Sequence, residues 1–127
     1  ARYLKLLINM MVGITSAMTA EALTFGKRGG IEWDQMIDLI NSSVVASPLV
    51  GFKVQLLKDR EFAPMFTAAQ MAKDFDLALD TAREMDIPIP LTALTRQLYG
   101  AMKATGKGEL DYFGLVALME EMAGIET

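Results

Sequence analysis

Residues 3–27 have the sequence YLKLLINMMVGITSAMTAEALTFGK, an apolar run with few charges that ends shortly before Gly29 and Gly30. Its apolar residues recur at helical spacing and lie around most of the circumference of the resulting helix. A glycine pair just after the last periodic residue is typical of a helix C-terminus. We therefore predict one long helix over residues 3–27. A helix that is apolar on most sides must be covered, so we expect it in the middle of the domain or at an interface.

The rest of the chain is also predicted to be helical. Apolar spacing and breaks at Pro, Gly or Ser predict helices over residues 33–40, 49–57, 67–85, 91–105 and 112–123. Asp111 is a candidate cap for the last of them. No alternation typical of strands, internal repeat or low-complexity tract occurs. The predicted fold class is all-α, a multi-helix bundle in which residues 1–127 form a single domain. The helix over residues 67–85 has the clearest apolar stripe, formed by Met71, Phe75, Ala78, Leu79 and Ala82.

Composition and charge exclude several classes of function. Hydrophobic residues make up 52% of the chain and its mean hydropathy is +0.28, which indicates an apolar surface that another domain or a second copy would cover. The net charge of −4 argues against nucleic acid as a partner, since phosphate binding needs a basic face. The chain has neither Cys nor His. Disulfides, thiolate chemistry and the commonest zinc ligand are therefore excluded, and we predict no metal site.

The N-terminal sequence favours a cytoplasmic protein without a membrane segment. Residues 6–20 carry no charge but include four polar side chains, and they fall short of the roughly 20 apolar residues that span a bilayer. No secretory cleavage site follows them. Because the chain opens inside a helical pattern, we also expect a segment of protein to precede Ala1.

Lys5 and Asn9 are a first candidate for chemistry. They lie four residues apart, on one face of the predicted first helix. A lysine among apolar neighbours loses hydration, which lowers its pKa and makes it a proton donor and acceptor near neutral pH. The alternative is that Lys5 extends to solvent from the first turn and Asn9 is a tolerated polar residue.

Residues 66–74 are a second candidate. Phe66, Gln70, Lys73 and Asp74 can point to one side of the helix, opposite the apolar stripe. An aromatic ring, a cation and a carboxylate on one rim suit a ligand with a flat ring and anionic groups. The alternative is an ordinary solvated helix face.

In this order and separation, the two groups resemble the C-terminal domain of the 3-hydroxyisobutyrate dehydrogenase family, the β-hydroxyacid dehydrogenases, whose architecture the 6-phosphogluconate dehydrogenases share. Residues 5–9, KLLIN, are similar to the family's catalytic segment, a lysine followed four residues later by an asparagine on a long N-terminal interdomain helix. Residues 20–26 are similar to the end of that helix. Residues 71–78, MAKDFDLA, resemble the family's second motif, with Phe66 at the expected upstream position.

The resemblance implies roles for five residues. Lys5 would be the catalytic acid and base, Asn9 and Phe66 would bind substrate, and Lys73 and Asp74 would bind cofactor. The implied activity is NAD- or NADP-dependent oxidation of a small 3-hydroxy acid similar to 3-hydroxyisobutyrate, in a homodimer or homotetramer assembled through these domains.

The cofactor would be bound mainly by an N-terminal Rossmann domain. This chain contains neither the G-x-G-x-x-G motif nor a βαβ pattern of such a domain. We therefore expect the isolated domain to be inactive.

Some departures from the family pattern leave alternatives open. Ile8 stands where members often have the first of two asparagines, so only Asn9 carries over. A chain without His also fits the 6-phosphogluconate dehydrogenases poorly, because these place a histidine beside the lysine. The alternatives are a reductase of glyoxylate or a short semialdehyde, a non-catalytic helical oligomerisation domain, and a Met-rich bundle that binds amphipathic peptides. Against the last, four methionines fall at core-like spacing: Met36, Met71, Met119 and Met122.

Overall fold

The computed structural model describes residues 2–126, and over that range the chain is helical and contains no strand. The α-helices are α1 (Arg2–Arg28), α2 (Trp33–Asn41), α3 (Pro48–Lys58), α4 (Ala68–Glu84), α5 (Pro90–Ala104) and α6 (Leu115–Ala123). The predicted all-α bundle with a long first helix is confirmed. The last helix needs a correction at its start, because Tyr112–Gly114 form a one-turn 3₁₀ helix and α6 begins only at Leu115.

Local side chains explain where α3, α4 and α5 begin. At the start of α4 the Thr67 hydroxyl accepts a hydrogen bond from the backbone N–H of Gln70 at 3.0 Å. In return, the side-chain oxygen of Gln70 accepts one from the backbone N–H of Thr67 at 2.8 Å. Pro48 and Pro90 open α3 and α5. A proline is tolerated there because the first backbone N–H groups of a helix have no intrahelical partner.

The core lies where α1, α4, α5 and α6 meet. Of the apolar stripe predicted on α4, four members are buried and Leu79 is half-buried. Met36, Met71 and Met119 are buried as predicted. Met122 was predicted wrongly, since it is 64% exposed in the last turn of α6.

α1 packs along one side only. Its other side is exposed in the described domain, although α1 contacts α2, α4, α5, α6 and the 3₁₀ helix. The packed side consists largely of small residues, which let neighbouring helices approach: Leu6, Gly13, Ser16, Ala17, Thr19, Ala20, Leu23 and Gly26. The exposed side carries large apolar residues: Tyr3, Leu4, Leu7, Ile8, Met11, Met18 and Phe25.

By length and composition α1 could also cross a membrane. Its most apolar 18-residue window has a mean hydropathy of 1.4, and 39% of that window is buried in the fold. The helix is thus longer than residues 6–20, the uncharged run that is too short to span a bilayer. The observation has little weight by itself, because the core helix of a soluble protein passes the same test.

Gly13 allows α1 to lie directly on α4. A Cβ atom at Gly13 would lie 2.5 Å from Cζ of Phe75, and the Phe75 side chain is fully buried. Phe75 packs edge-on against Tyr99 on α5, with ring centroids 5.7 Å apart. The Tyr99 hydroxyl is hydrogen-bonded to the Ser16 hydroxyl, and it also donates to the Gly13 carbonyl oxygen at 3.3 Å. The Phe75 ring is therefore packed between Gly13 on α1 and Tyr99 on α5.

We expect Gly13→Ala to lower the free energy of unfolding by about 1–3 kcal/mol, because the added methyl group forces a core ring out of place. Gly51→Ala is the matched control on α3, where a Cβ would lie 3.5 Å from its nearest neighbour, an ordinary contact. The control should gain about 0.5–1 kcal/mol from its better helix propensity. Urea denaturation of both variants measures the difference, and equal stabilities would show that the two helices are not in contact at Gly13.

Candidate active site

A cleft of about 330 Å³ lies between the N-terminal half of α1 and the start of α4. It brings together four of the five residues that the resemblance singled out. Lys5 and Asn9 line it from α1, and Phe66 and Asp74 line it from the other side. Val12, Met71 and Tyr112 complete the lining.

Asn9 and Asp74 are joined directly. The Asn9 Nδ2 atom donates a hydrogen bond to Asp74 Oδ2 at 2.6 Å, which ties α1 to α4 at the cleft. A hydrogen bond to a carboxylate is stronger than one between neutral groups. It uses one of the two N–H donors of the Asn9 side chain, so the second N–H and the side-chain oxygen remain available to a ligand.

Lys5 is exposed in this domain. Its apolar sequence neighbours predict that the ammonium group is desolvated. Leu4, Leu7 and Ile8 are themselves exposed, on the open side of α1, so they do not enclose it. Within the described residues, the expected burial of Lys5 is wrong.

Lys73 and Gln70 do not line the cleft. The Gln70 side chain is used in the capping box of α4, and Lys73 is exposed, one position before Asp74. The prediction that Phe66, Gln70, Lys73 and Asp74 share one rim therefore holds for Phe66 and Asp74 only. The reason is that neighbouring positions on a helix are rotated by about 100° from each other.

Tyr112 is the residue that the sequence analysis missed. It was placed in the first turn of the last helix, without a role. In the structure its ring lies 6.4 Å from that of Phe66, nearly perpendicular to it, and its side chain lines the cleft. The only sequence signal was an aromatic residue directly after a capping aspartate.

Asp111 holds this side of the cleft together. As predicted it is a cap, but of the 3₁₀ helix, since it accepts a hydrogen bond from the Phe113 amide at 3.0 Å. It also accepts from the Met65 amide at 3.1 Å. In addition, both of its carboxylate oxygens accept from Lys53 Nζ at 3.0 Å, and both of these side chains are about 95% buried.

The described residues contain no group of three or more His, Cys, Asp or Glu side chains that could hold a metal ion. The chemistry available in the cleft is therefore that of one exposed ammonium group, an amide oxygen, a carboxylate and a phenol. These groups can exchange a proton with a small polar ligand and hydrogen-bond to it.

Comparison with known proteins shows the family to which this domain belongs. Residues 1–119 match the model of the family described as the NAD-binding domain of NADP-dependent 3-hydroxyisobutyrate dehydrogenase. The chain belongs to this family, and the family's cofactor is NAD or NADP. The resemblance based on the Lys5 and Asp74 motifs is thereby confirmed.

Individual relatives are similar over most of the chain. It is 29% identical over 124 residues to 2-(hydroxymethyl)glutarate dehydrogenase from Eubacterium barkeri, covering 97% of this chain and 41% of that protein. It is 30% identical over 111 residues to cytokine-like nuclear factor N-PAC from Aedes aegypti. That match covers 87% of this chain and 20% of the nuclear factor.

The fold matches a solved structure. A 3-hydroxyisobutyrate dehydrogenase from Salmonella typhimurium is similar with a TM-score of 0.86 and 24% identity, covering 91% of this chain and 41% of that one. The chain therefore spans less than half of each of these three proteins.

We expect Asp111→Asn to lower the free energy of unfolding by about 3 kcal/mol, because it leaves the buried Lys53 ammonium without its counter-charge. Asp80→Asn is the control, since Asp80 forms an exposed pair with Arg83 on one face of α4 and should change stability very little. Thermal or chemical denaturation of both variants tests this, and a loss no larger at Asp111 than at Asp80 would contradict it.

Proposed function

We propose that this chain is the helical half of an NAD(P)-dependent oxidoreductase that acts on a small 3-hydroxy acid similar to 3-hydroxyisobutyrate, and that Lys5 is its catalytic residue. The observation that carries the proposal is the shared cleft. In a chain of this family, Lys5 and Asn9 meet Phe66 and Asp74 there, although the two pairs are far apart in sequence.

The cleft fits only part of such a reaction complex. Its volume of about 330 Å³ accommodates a small hydroxy acid or one flat ring, but not a whole dinucleotide. Phe66 supplies a half-buried aromatic surface for the ring. Lys73 is exposed on α4 and forms no ion pair among residues 2–126, so its ammonium group can meet a cofactor phosphate. The rest of the dinucleotide would be held by a Rossmann domain outside this chain.

The residues of the chain then have distinct tasks. A bound nicotinamide would supply hydride transfer to and from the carbon that carries the substrate hydroxyl. Lys5 takes the proton of that hydroxyl during oxidation and returns it during reduction. Asn9 offers its amide oxygen to the substrate hydroxyl or to the Lys5 ammonium, and Asp74 holds the Asn9 amide in that orientation.

The exposed N-terminal part of α1 supports a second domain as partner. Tyr3, Leu4, Leu7, Ile8 and Met11 are exposed on the same N-terminal part of α1 that carries Lys5. A nucleotide-binding domain that brings the nicotinamide to Lys5 would cover these residues. It would also exclude water from the ammonium group, which the domain alone does not do. Hence we propose that the isolated domain is inactive.

Lys5→Ala in the complete protein should reduce kcat by a factor on the order of 10²–10⁴, because general acid and base catalysis is lost. The measurement is NAD(P)-linked turnover of a panel of small 3-hydroxy acids. Lys103→Ala removes an exposed lysine on α5 outside the cleft and should leave the rate unchanged. Equal turnover of Lys5→Ala and wild type, both folded, would remove Lys5 from the mechanism.

The same cleft also serves the reverse reaction. A reductase of glyoxylate or a short semialdehyde would use Lys5 to protonate the carbonyl oxygen as the hydride arrives. The panel therefore includes these carbonyl compounds with NAD(P)H. The substrate with the highest kcat/KM decides whether the protein is a hydroxy-acid dehydrogenase or a reductase of a carbonyl compound.

A second proposed role is assembly into a homodimer or homotetramer. Phe25 is 84% exposed and stands between two apolar grooves, one of about 610 Å³ against α5 and one of about 500 Å³ against α6. A protruding ring next to a groove on one surface is self-complementary, so a two-fold related copy can insert its own Phe25 there. Glu21 and Arg28 on the rim can pair across such an axis.

Phe25→Glu should shift the complete protein toward the monomer, since it places a charge at the centre of the apolar contact. Leu39→Glu on α2 is the control, because Leu39 is 56% exposed and lies outside both grooves. Sedimentation velocity gives the mass of each variant. A wild-type mass for Phe25→Glu would exclude this surface as the interface.

We also propose a cytoplasmic location, with neither nucleic acid nor a membrane as partner. The acidic net charge of −4 and the packing of one side of α1 within the domain support this. Cell fractionation of the tagged complete protein tests the location, and recovery in the membrane fraction would contradict it.

A further inference from the structure

The hydroxyl group of Tyr112 is a polar group without a protein partner. The residue is 5% exposed, and its hydroxyl takes part in none of the hydrogen bonds among residues 2–126. No fully enclosed side-chain oxygen or nitrogen in the described part of the chain lacks a partner. The Tyr112 oxygen must therefore reach an open surface, and the surface that this side chain lines is the candidate active-site cleft.

The Tyr112 ring is held in place on several sides. Lys53 Nζ lies 4.6 Å from the ring centroid, and the ring of Phe113 packs at 5.3 Å. The Tyr112 amide donates to the Phe66 carbonyl oxygen at 3.0 Å, which couples the positions of the two aromatic residues in the cleft. A ring fixed in this way presents its hydroxyl at one defined point, with little entropy left to lose on binding a ligand.

The hydroxyl also keeps its proton. Burial, with a further contribution from the charge of Asp111, raises the pKa of Tyr112 to about 12. At neutral pH the group is therefore an uncharged donor. Tyr99 is a useful contrast, because its buried hydroxyl is satisfied by Ser16 and by the Gly13 carbonyl oxygen.

We propose that Tyr112 is a substrate-binding and specificity-determining residue, whose hydroxyl donates a hydrogen bond to an oxygen of the hydroxy acid other than the reacting one. This rests on the function proposed above. Lys5 and Asn9 line the cleft from α1, whereas Tyr112 lines it from the 3₁₀ helix, next to Phe66. A small substrate with two oxygen-bearing groups would span the cleft between them.

The test is Tyr112→Phe in the complete protein. We expect KM for the best hydroxy acid of the panel to rise about tenfold or more, because one hydrogen bond to the substrate is lost. KM for NAD(P) and the melting temperature should be unchanged, since the hydroxyl has no partner within the domain. Tyr99→Phe is the matched control and should show the opposite pattern, a lower melting temperature with an unchanged KM.

Lys5→Ala measured in parallel separates the two proposals. If it abolishes turnover while Tyr112→Phe has the KM of wild type, the role of Tyr112 is overturned and the proposed function stands. A drop in the melting temperature of Tyr112→Phe as large as that of Tyr99→Phe would show a structural role instead. If wild type turns over no member of the panel, the proposed function fails, and the substrate contact fails with it.

Discussion

The close approach of α1 to α4 at Gly13 determines the geometry of the cleft, because the backbone of α1 lies directly on the buried ring of Phe75. One turn before Gly13 along α1 comes Asn9, and one turn before that comes Lys5. At this separation of the two helices, Asn9 reaches Asp74, the residue that precedes Phe75. A larger side chain at Gly13 would push the helices apart and lengthen that hydrogen bond. The polar chemistry of the cleft therefore depends on an apolar contact one helical turn away.

Buried carboxylates hold the remaining elements around this helix pair. Asp111 connects α3, through Lys53, to the segment that carries Phe66 and to the 3₁₀ helix that carries Tyr112. Glu120 on α6 accepts a hydrogen bond from Lys27 at the end of α1 at 2.9 Å, and a second cation, Arg60, pairs with it as well. Burying a carboxylate is costly unless charge and hydrogen bonds satisfy it. Asp111 and Glu120 both have cationic partners on other elements. These buried ion pairs therefore specify which helices meet, unlike ion pairs on the surface.

The exposed side of α1 connects the two proposals about partners. Its N-terminal part includes Lys5 and exposed apolar residues, and its C-terminal part carries Phe25 between two grooves. A single helix can thus present one apolar surface to a nucleotide-binding domain and another to a second copy. The family to which the chain belongs, and the small share of each relative that it covers, agree with a site that is completed from outside this chain.

The amino-acid sequence by itself determined the helices, the length of α1, and four residues of the cleft. The helices and the length of α1 follow from local periodicity, which depends on neighbours a few positions apart. That Lys5, Asn9, Phe66 and Asp74 belong to one site followed from the resemblance of their two motifs to a known family. Only the tertiary structure decided that Lys5 is exposed, that Lys73 lies outside the cleft, and that Tyr112 lies inside it. The rotation of one helix against another sets the direction of each side chain, and no local pattern encodes it. The pairing of Lys53 with Asp111 joins residues 58 positions apart, and it forms only because packing removes both charges from water together.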